Sequence, residues 1–297
     1  MPNFSFEDGG TVVQYYLAQI LEEYGYMVRI YPSSGIKTSN HIFSKFYNND
    51  FPKDENTVVI YCEGTQGNPL NATNVVRWML SELGQNVPYN MVNTWGKNEL
   101  VYYFNSELKF GKNPEKFGNI YKLLSIIYVN PLATIINNNE RSGTCFTYRK
   151  THVHKNGIRN VHPPGSFEIN RGHTQTQCIE IFNKYKVFIS YDPLTFLSII
   201  SALCGCISII YKIDGLNKKE WINTSVVAEY LQYSGEELYG VAYGEDDIQH
   251  AIDTLHLVKQ QWNNIQKYTQ EKTVLPFIED IQNIEKMENT IQNNYFS

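Results

Sequence analysis

Two adjacent cations, Arg149 and Lys150, follow an apolar stretch at residues 143–148 that is predicted to be a strand. Two positive charges at the end of a strand can neutralise a diphosphate in a partly dry cleft. The alternative is that both belong to a solvated loop, because the residues that follow are polar. Four histidines occur at positions 152, 154, 162 and 173. Their spacing lacks a metal-site pattern, so we expect hydrogen-bonded loop residues.

A polar turn at residues 190–195 joins a strand predicted at 187–191 to a helix predicted at 194–204. Ligands of parallel sheets bind where strands end and helices begin, so Ser190, Asp192 and Thr195 are candidates for holding one. Thr195 is expected in the first helical turn, where a hydroxyl and free N–H groups can bind phosphate. Pro193 keeps Asp192 extended. The alternative for Asp192 is that it only caps the helix.

Three further candidates occur in the first third of the chain. Glu63 lies just after a buried strand predicted at 57–62, where a carboxylate could take a proton from a hydroxyl. The alternative is a carboxylate that only hydrogen-bonds its own loop. Gly9 and Gly10 precede an amphipathic helix and could form a backbone anion site, although a glycine pair alone is a weak signal.

Alternating strands and helices predict an α/β fold built from parallel βαβ units. In the first half, the predicted helices are a segment that follows Gly10 and ends at Gly25, and residues 72–83, and the predicted strands are 27–31, 57–62, 100–104 and 125–129. In the second half, the predicted strands are 143–148, 187–191, 206–211 and 239–242, and the predicted helices are 174–184, 194–204, 224–233 and 246–261. Residues 275–291 carry an apolar stripe at helical spacing. We therefore expect domains at 1–135 and 136–270, and a C-terminal helix at 271–297.

Composition restricts the class of protein. The 297 residues have 42% apolar and 19% charged content and a net charge of −5. These values fit a globular chain of two domains and argue against a nucleic-acid partner. No apolar run reaches the length of a membrane span, and no signal peptide is recognised, so a cytoplasmic location is expected. Five cysteines, an odd number, indicate buried free thiols rather than disulfides or a metal site.

Several segments together resemble glycosyltransferases of the GT-B type, and in particular a poorly characterised group of bacterial and viral glycosyltransferase-like proteins. These segments are the Gly9–Gly10 pair, YCEGTQGNPLNATNVVRWML at 61–80, TYRK at 147–150, HPPGSFEIN at 162–170, EIFNKYKVFISYDPLTF at 180–196, ALCGCISII at 202–210 and YGVAYGEDDIQHA at 239–251. The resemblance therefore covers nearly the whole chain.

The resemblance implies two Rossmann-like domains facing each other across a cleft, with a C-terminal helix that crosses back to the first domain. It implies transfer of a sugar from a UDP- or GDP-linked donor, bound mainly by the second domain, to a glycan or other hydroxyl acceptor. No bound metal or other cofactor is expected, and the location is the host cytoplasm if the source is viral. Arg149 and Lys150 would hold the leaving diphosphate. Ser190, Asp192 and Thr195 would hold the donor, Glu63 would act as base or acceptor contact, and Gly9–Gly10 would form the N-terminal loop.

The chain departs from the GT-B pattern at two places. Many retaining members have two glutamates eight positions apart at the strand–helix corner, whereas this chain has Asp192 and, at the second position, Ser201. An apolar strand normally precedes the Gly–Gly loop, and only residues 2–6 stand there. Two alternatives therefore remain: a non-catalytic nucleotide- or carbohydrate-binding homologue, and a sugar-nucleotide epimerase. The stereochemical outcome and the oligomeric state are left open.

Overall fold

The chain forms two compact units, each with a parallel sheet. A computed structural model describes residues 4–6, 8–31, 43–48, 50, 54–84, 86–97, 99–105, 121–136 and 140–284. One unit comprises residues 1–127 together with 267–297, and the other comprises residues 128–266. The predicted α/β class with parallel strands is confirmed. Among the described helices, none combines the length and apolar character that crossing a membrane requires.

The first unit contains a four-stranded sheet and helix α1 (Gly9–Glu23). Its strands are β1 (Val58–Cys62), β2 (Asn74–Met79), β3 (Leu100–Tyr103) and β4 (Tyr121–Leu123), hydrogen-bonded in that order and all parallel. The predicted first helix and the strands at 57–62 and 100–104 are confirmed. Leu17 and Ile20 of α1 pack with Trp78 and Tyr102 in one core cluster, so the helix covers one face of the sheet.

The predicted helix at residues 72–83 is wrong, because this segment forms β2. All six residues of β2 are buried, and Val75 and Val76 are β-branched. A strand that is covered on both faces gives a continuous apolar run that periodicity does not separate from a helix. The side chain of Arg77, within β2, is fully buried.

Two other predicted strands of the first unit are also wrong. Within residues 27–31 only Ile30 makes a strand contact, as an isolated bridge to Tyr47. Residues 125–129 follow β4 without forming a strand. A side chain instead bonds the backbone of Ser125, because its amide donates to the Thr273 hydroxyl at 3.2 Å and its carbonyl oxygen accepts from that hydroxyl at 3.0 Å. Residues 4–6, where a first strand was sought, are also not in a strand.

The second unit contains a five-stranded parallel sheet in the order β6-β5-β7-β8-β9. The strands are β5 (Thr144–Thr147), β6 (Phe167–Glu168), β7 (Val187–Ser190), β8 (Ile207–Ile210) and β9 (Val241–Tyr243). The helices are α2 (Gln175–Phe182), α3 (Leu197–Leu203), α4 (Lys218–Asn223), α5 (Ala228–Ser234) and α6 (Ile248–Thr254). The four strands predicted for this half are confirmed.

Local sequence signals explain where two of these helices begin. The Thr174 hydroxyl accepts a hydrogen bond from the Gln177 amide, and the Gln177 side chain bonds back to Thr174, as predicted for the N-terminus of α2. Asn217 and Glu220 form the same reciprocal pair before α4. That helix was not predicted, although its capping pair is visible in the sequence.

The C-terminal helix packs on the sheet of the first unit. Helix α7 (Val258–Thr269) continues through one π-helical turn (Gln270–Val274) into α8 (Leu275–Gln282). Phe277 and Ile278 of α8 join the α1 core cluster. Residues 285–297, including the predicted stripe positions Met287 and Ile291, lie outside the described residues.

A buried carboxylate fixes α8 to this sheet. The Tyr102 hydroxyl donates to Asp280 at 2.6 Å, and the Lys122 ammonium donates to both Asp280 oxygens at 2.6 and 2.7 Å. Burial and the hydrogen bond to Asp280 raise the pKa of the Tyr102 phenol, so the phenol remains a donor at neutral pH. The Tyr26 hydroxyl instead accepts from Gln282 at 2.6 Å on the exposed side of the same helix.

Replacement of Tyr102 by Phe is expected to lower the free energy of unfolding by about 1–3 kcal/mol, because the buried Asp280 carboxylate loses one of its two hydrogen-bond donor groups. The matched control, Tyr26→Phe, removes an exposed bond to α8 and is expected to change it by less than about 0.5 kcal/mol. Urea unfolding followed by circular dichroism measures both. Equal losses for the two variants would contradict this assignment.

Four of the five cysteines are buried, and Cys62 is partly accessible. Burial raises the pKa of the Cys145 thiol, and it raises the pKa of Cys204 and of Cys206 to about 12. A thiol reacts through its thiolate, so these groups are unreactive at neutral pH in the folded chain. The structure records all five as free thiols.

A thiol titration with Ellman's reagent at neutral pH is expected to detect one rapidly reacting group per folded chain and five after denaturation. The variant Cys62→Ser should show no rapid reaction. Rapid reaction of a second thiol in the folded protein would show that the buried set is more accessible than described.

Candidate functional site

The predicted diphosphate cations lie at the carboxyl edge of the second sheet. Strands β5 and β7 are parallel neighbours, with Thr147 opposite Ser190. The ladder continues one residue further, since the Tyr191 amide donates to the Thr147 carbonyl oxygen at 2.9 Å. Arg149 and Asp192 each follow two residues after this register pair. The fold therefore brings the predicted cations and the predicted polar corner to adjacent strand ends.

Arg149 has a buried donor that is not used within the protein. The residue is partly exposed, but its Nε atom is buried and finds no hydrogen-bond acceptor among the residues that the structure describes. Lys150 is exposed. No carboxylate in the described ranges forms an ion pair with either side chain. A buried charged donor without an acceptor is costly unless a ligand supplies one.

The residues of the corner are mostly engaged with one another. Ser190 and Asp192 are 0% and 2% exposed. The Ser190 hydroxyl donates to the Asp192 carbonyl oxygen at 2.7 Å, and Asp192 Oδ1 accepts from the Leu194 amide at 3.0 Å. These bonds form the turn that precedes α3, and Asp192 does not cap that helix, because the N-cap of α3 is Phe196.

Thr195 does not lie in the first turn of a helix, and that prediction is wrong. Helix α3 begins at Leu197, two residues later, with Phe196 as its cap. Asp192 Oδ1 and the Ser190 hydroxyl hold residues 190–194 in a turn, which delays the helix. The Thr195 hydroxyl accepts from the Leu197 amide at 3.3 Å and remains partly exposed. Thr195 is therefore part of the turn.

The loop after Arg149 folds over the same strand ends. Its residues 149–162 contain four cations, at positions 149, 150, 155 and 159, and we call this segment the cationic loop. The Arg159 amide donates to the Tyr211 hydroxyl at 3.0 Å, and Asn156 donates to Asp214 at 3.0 Å. Both partners follow β8, so the loop crosses from the end of β5 to the end of β8.

The predicted residues of the first unit are held by protein contacts. Glu63 is 7% exposed; its Oε2 atom accepts from the Leu80 amide at 3.0 Å and its Oε1 atom accepts from the Ser81 hydroxyl. Glu63 is thus a carboxylate that hydrogen-bonds the protein, although its partners follow β2 and do not belong to its own loop. The role of Glu63 as a base stays a prediction.

Gly9 and Gly10 open helix α1, but the helix terminus already carries a carboxylate. Asp8 Oδ1 accepts from the Gly10 amide at 3.0 Å and from the Thr11 amide at 3.4 Å. An anionic ligand at these amides would have to displace Asp8. Gly10 lies beside Leu80, since a Cβ at Gly10 would be in ordinary van der Waals contact with the Leu80 side chain at 3.6 Å, and the Leu80 amide binds Glu63. The two predicted sites of this unit are thus neighbours.

Arg77 is a heavily bonded side chain of the first unit that the sequence did not single out. Its Nε and Nη2 atoms donate to both oxygens of Glu99 at 2.6 and 3.0 Å. Its Nη1 atom donates to the Thr65 carbonyl oxygen at 2.9 Å, and Nη2 also donates to the Gly67 carbonyl oxygen. The guanidinium lies 4.8 Å from the Tyr61 ring. Arg77 therefore fixes the loop that follows Glu63.

Two shallow cavities occur away from the predicted residues. One, of about 270 Å³, is lined by Asn68, Thr73, Lys97, Glu99 and neighbouring backbone in the first unit. The other, of about 330 Å³, is lined by residues 129–134, Leu203 and the Lys259–Gln266 face of α7 in the second. Neither includes a residue predicted to bind a ligand. Over the described part of the chain, no group of three or more His, Cys, Asp or Glu residues is arranged to hold a metal ion.

Comparison with known proteins adds no relative. No protein-family model matches the chain, no curated protein sequence matches it, and no solved structure matches its fold.

Replacement of the buried Arg77 by Lys is expected to lower the free energy of unfolding by about 3–5 kcal/mol, because Lys cannot make the paired bonds to Glu99 and leaves that carboxylate poorly matched. The control is Arg29→Lys, which alters an exposed arginine bonded only to the carbonyl oxygen of Val28 among the bonds described. Chemical denaturation measures both. A change for Arg77→Lys as small as that of the control would contradict a clamping role.

Proposed function

We propose that the chain binds a nucleotide-linked sugar at the carboxyl edge of its second sheet and transfers the sugar to an acceptor hydroxyl. The observation that carries the proposal is the buried Nε of Arg149, which has no acceptor within the described residues. Lys150 adds a second positive charge at the same strand end. A guanidinium and an ammonium together suit a diphosphate, which offers several oxygens to a planar fork and a point charge.

The position of these cations supports a nucleotide rather than an isolated phosphate. Ligands of parallel α/β sheets bind beyond the carboxyl ends of the strands, and Arg149 follows β5 at that edge. The end of the adjacent strand supplies Asp192, whose carboxylate could accept a hydrogen bond from a ribose or sugar hydroxyl through Oδ2. Thr195, partly exposed in the following turn, offers a hydroxyl.

In the proposed reaction, the bond between the anomeric carbon and the diphosphate oxygen breaks, and the acceptor oxygen forms the new bond to that carbon. Negative charge develops on the leaving diphosphate, and Arg149 and Lys150 would stabilise it electrostatically. The acceptor proton passes to a base. Glu63 is the proposed group; each of its oxygens already accepts one hydrogen bond, so the acceptor hydroxyl must reach a remaining lone pair of a carboxylate that is 7% exposed.

Two parallel-sheet units in one chain support the GT-B class, in which one domain binds the donor and the other the acceptor. The polar residues of the two units differ in a way that agrees with this division. Arg149 and Lys150, which form no ion pair within the described residues, lie in the second unit, whereas Glu63 and Asp8 of the first unit accept hydrogen bonds from the protein itself.

A second candidate function is nucleotide binding without catalysis. The burial of Glu63 favours it, because a base must have an accessible acceptor. Position 201 of α3 carries a serine, so it offers no carboxylate, and the Ser201 hydroxyl donates to the Ser198 carbonyl oxygen within the helix. Release of nucleoside diphosphate in the presence of acceptor sugars separates the two functions: turnover supports the transferase, and binding without turnover supports the second candidate.

The double variant Arg149→Gln with Lys150→Gln is expected to weaken binding of a UDP- or GDP-linked sugar at least tenfold, about 1.4 kcal/mol. The matched control removes two exposed lysines at the opposite end of β7, Lys184→Gln with Lys186→Gln, and changes net charge equally. Its affinity should stay within about twofold of the original protein. Calorimetric titration measures both.

Equal weakening by the two double variants would indicate only a non-specific charge effect. An affinity unaffected by loss of Arg149 and Lys150 would contradict the proposed site.

A further inference from the structure

Tyr191 connects the cationic loop to the sheet at two points. It follows β7 and is 0% exposed. Its hydroxyl oxygen lies 2.7 Å from the Val161 amide nitrogen, 3.3 Å from the His162 amide nitrogen and 2.9 Å from His162 Nδ1. Its carbonyl oxygen accepts from His154 Nε2 at 2.9 Å. We call the contacts of the Tyr191 hydroxyl with Val161 and His162 the latch.

The donors and acceptors around the Tyr191 hydroxyl determine the proton positions in the latch. The backbone amides of Val161 and His162 can only donate, so the phenol oxygen accepts twice. The phenol then has one remaining function, its own O–H, which must point at His162 Nδ1. His162 Nδ1 is therefore an acceptor, and a histidine with an accepting nitrogen is neutral.

Ring packing holds the plane of the His162 imidazole beside the Tyr191 hydroxyl. The imidazole stacks on Phe146 with 3.7 Å between ring centroids and 7° between planes. Tyr191 is itself stacked on Tyr148, with centroids 4.9 Å apart. The stack fixes the plane of the imidazole, and the hydrogen bond to Nδ1 selects the ring edge that faces Tyr191.

The electrostatic surroundings keep the Tyr191 phenol protonated. Burial raises the pKa of Tyr191, with further contributions from Tyr211 and Glu245, and burial also raises that of Tyr148, with Tyr191 and Glu168 contributing. The titratable and charged groups of this cluster are His162, Tyr148 and Tyr191, then His154, Arg159, Glu168, Tyr211 and Glu245. Arg159 pairs with Glu245 at 3.4 Å. The phenol is thus a donor throughout the range in which an imidazole changes charge.

We propose that Tyr191 is a positioning residue for the cationic loop and that the latch closes only on neutral His162. Protonation of His162 puts a hydrogen on Nδ1, which then faces the Tyr191 phenol oxygen. That oxygen already accepts from the Val161 and His162 amides, so one bond must break. Acid therefore weakens the attachment of residues 161–162 to Tyr191, while the contacts of His154, Asn156 and Arg159 with the ends of β7 and β8 remain. The inference rests on the proposed function, since Arg149 and Lys150 begin the same loop.

The expected effect of acid on anion affinity is opposite to the usual one. A histidine near an anion ordinarily strengthens binding when it gains charge. Here acid is expected to weaken anion binding, because the loop that carries the cations loses one of its anchors. His162→Gln offers a matched control, since an amide oxygen can accept from Tyr191 and does not titrate.

Hydrogen exchange of the Val161 and His162 amides tests the latch without any ligand. At about pH 5.5, protection in the original protein should fall at least tenfold below that of His162→Gln, and at about pH 8 the two should agree. Comparison at the same pH removes the intrinsic pH dependence of exchange. Tyr191→Phe should lose protection of Val161 at both pH values, while amides of β8 remain protected and report an intact fold.

Equal protection of the original protein and His162→Gln at both pH values would overturn the inference, as would full protection of Val161 in Tyr191→Phe. If Tyr191→Phe also exposes β8, the comparison with His162→Gln still decides the question.

Titration with UDP at the two pH values links the latch to binding. Between about pH 8 and about pH 5.5, the affinity of the original protein should fall at least fivefold more than that of His162→Gln, because the charge on UDP changes equally for both. If UDP does not bind and exchange behaves as expected, the proposed function fails and the latch stands. If UDP binds and exchange is insensitive to His162→Gln, the latch fails and the proposed function stands.

Discussion

Two arginines of this chain show the constraint on which the functional account depends: a buried guanidinium donor needs an acceptor. Arg77 is fully buried, and its three nitrogen atoms donate to Glu99 and to two loop carbonyl oxygens. Arg149 has a buried Nε with no acceptor among the described residues. Desolvation of a charged donor is costly in both cases, and only Arg77 offsets it within the protein. We therefore interpret Arg77 as structural and Arg149 as available for a ligand.

The same distinction separates the two units. In the first unit, Asp8 binds the amides at the start of α1 and Glu63 binds the end of β2, so the polar groups at these strand and helix ends stabilise one another. In the second unit, Ser190 and Asp192 bond each other, whereas the Nε atom of the adjacent Arg149 finds no acceptor among the described residues. Anion binding is thus supported at one sheet edge and not at the glycine pair.

The sequence predicted the second unit better than the first, for a physical reason. Apolar strands such as β7 and β8 are followed by marked turns, and Gly205 adopts a positive φ of 91° between α3 and β8. In β2, Val75 and Trp78 are buried on opposite faces, and the run has neither a helical nor an alternating period. The role of Arg77 was not evident from the sequence, because its partner Glu99 is remote in sequence. The role of Tyr191 was equally hidden, since its contacts are with a loop 29 and 30 residues away.

The Nε–H resonance of Arg149 provides the most direct measurement of the central claim. In a proton–nitrogen correlation spectrum, it can be assigned by its absence in Arg149→Lys. On addition of UDP, the account predicts a downfield shift of this resonance and slower exchange with water, because a diphosphate oxygen becomes its acceptor. An unchanged Arg149 Nε–H resonance at UDP concentrations that shift other resonances of the second unit would contradict the account.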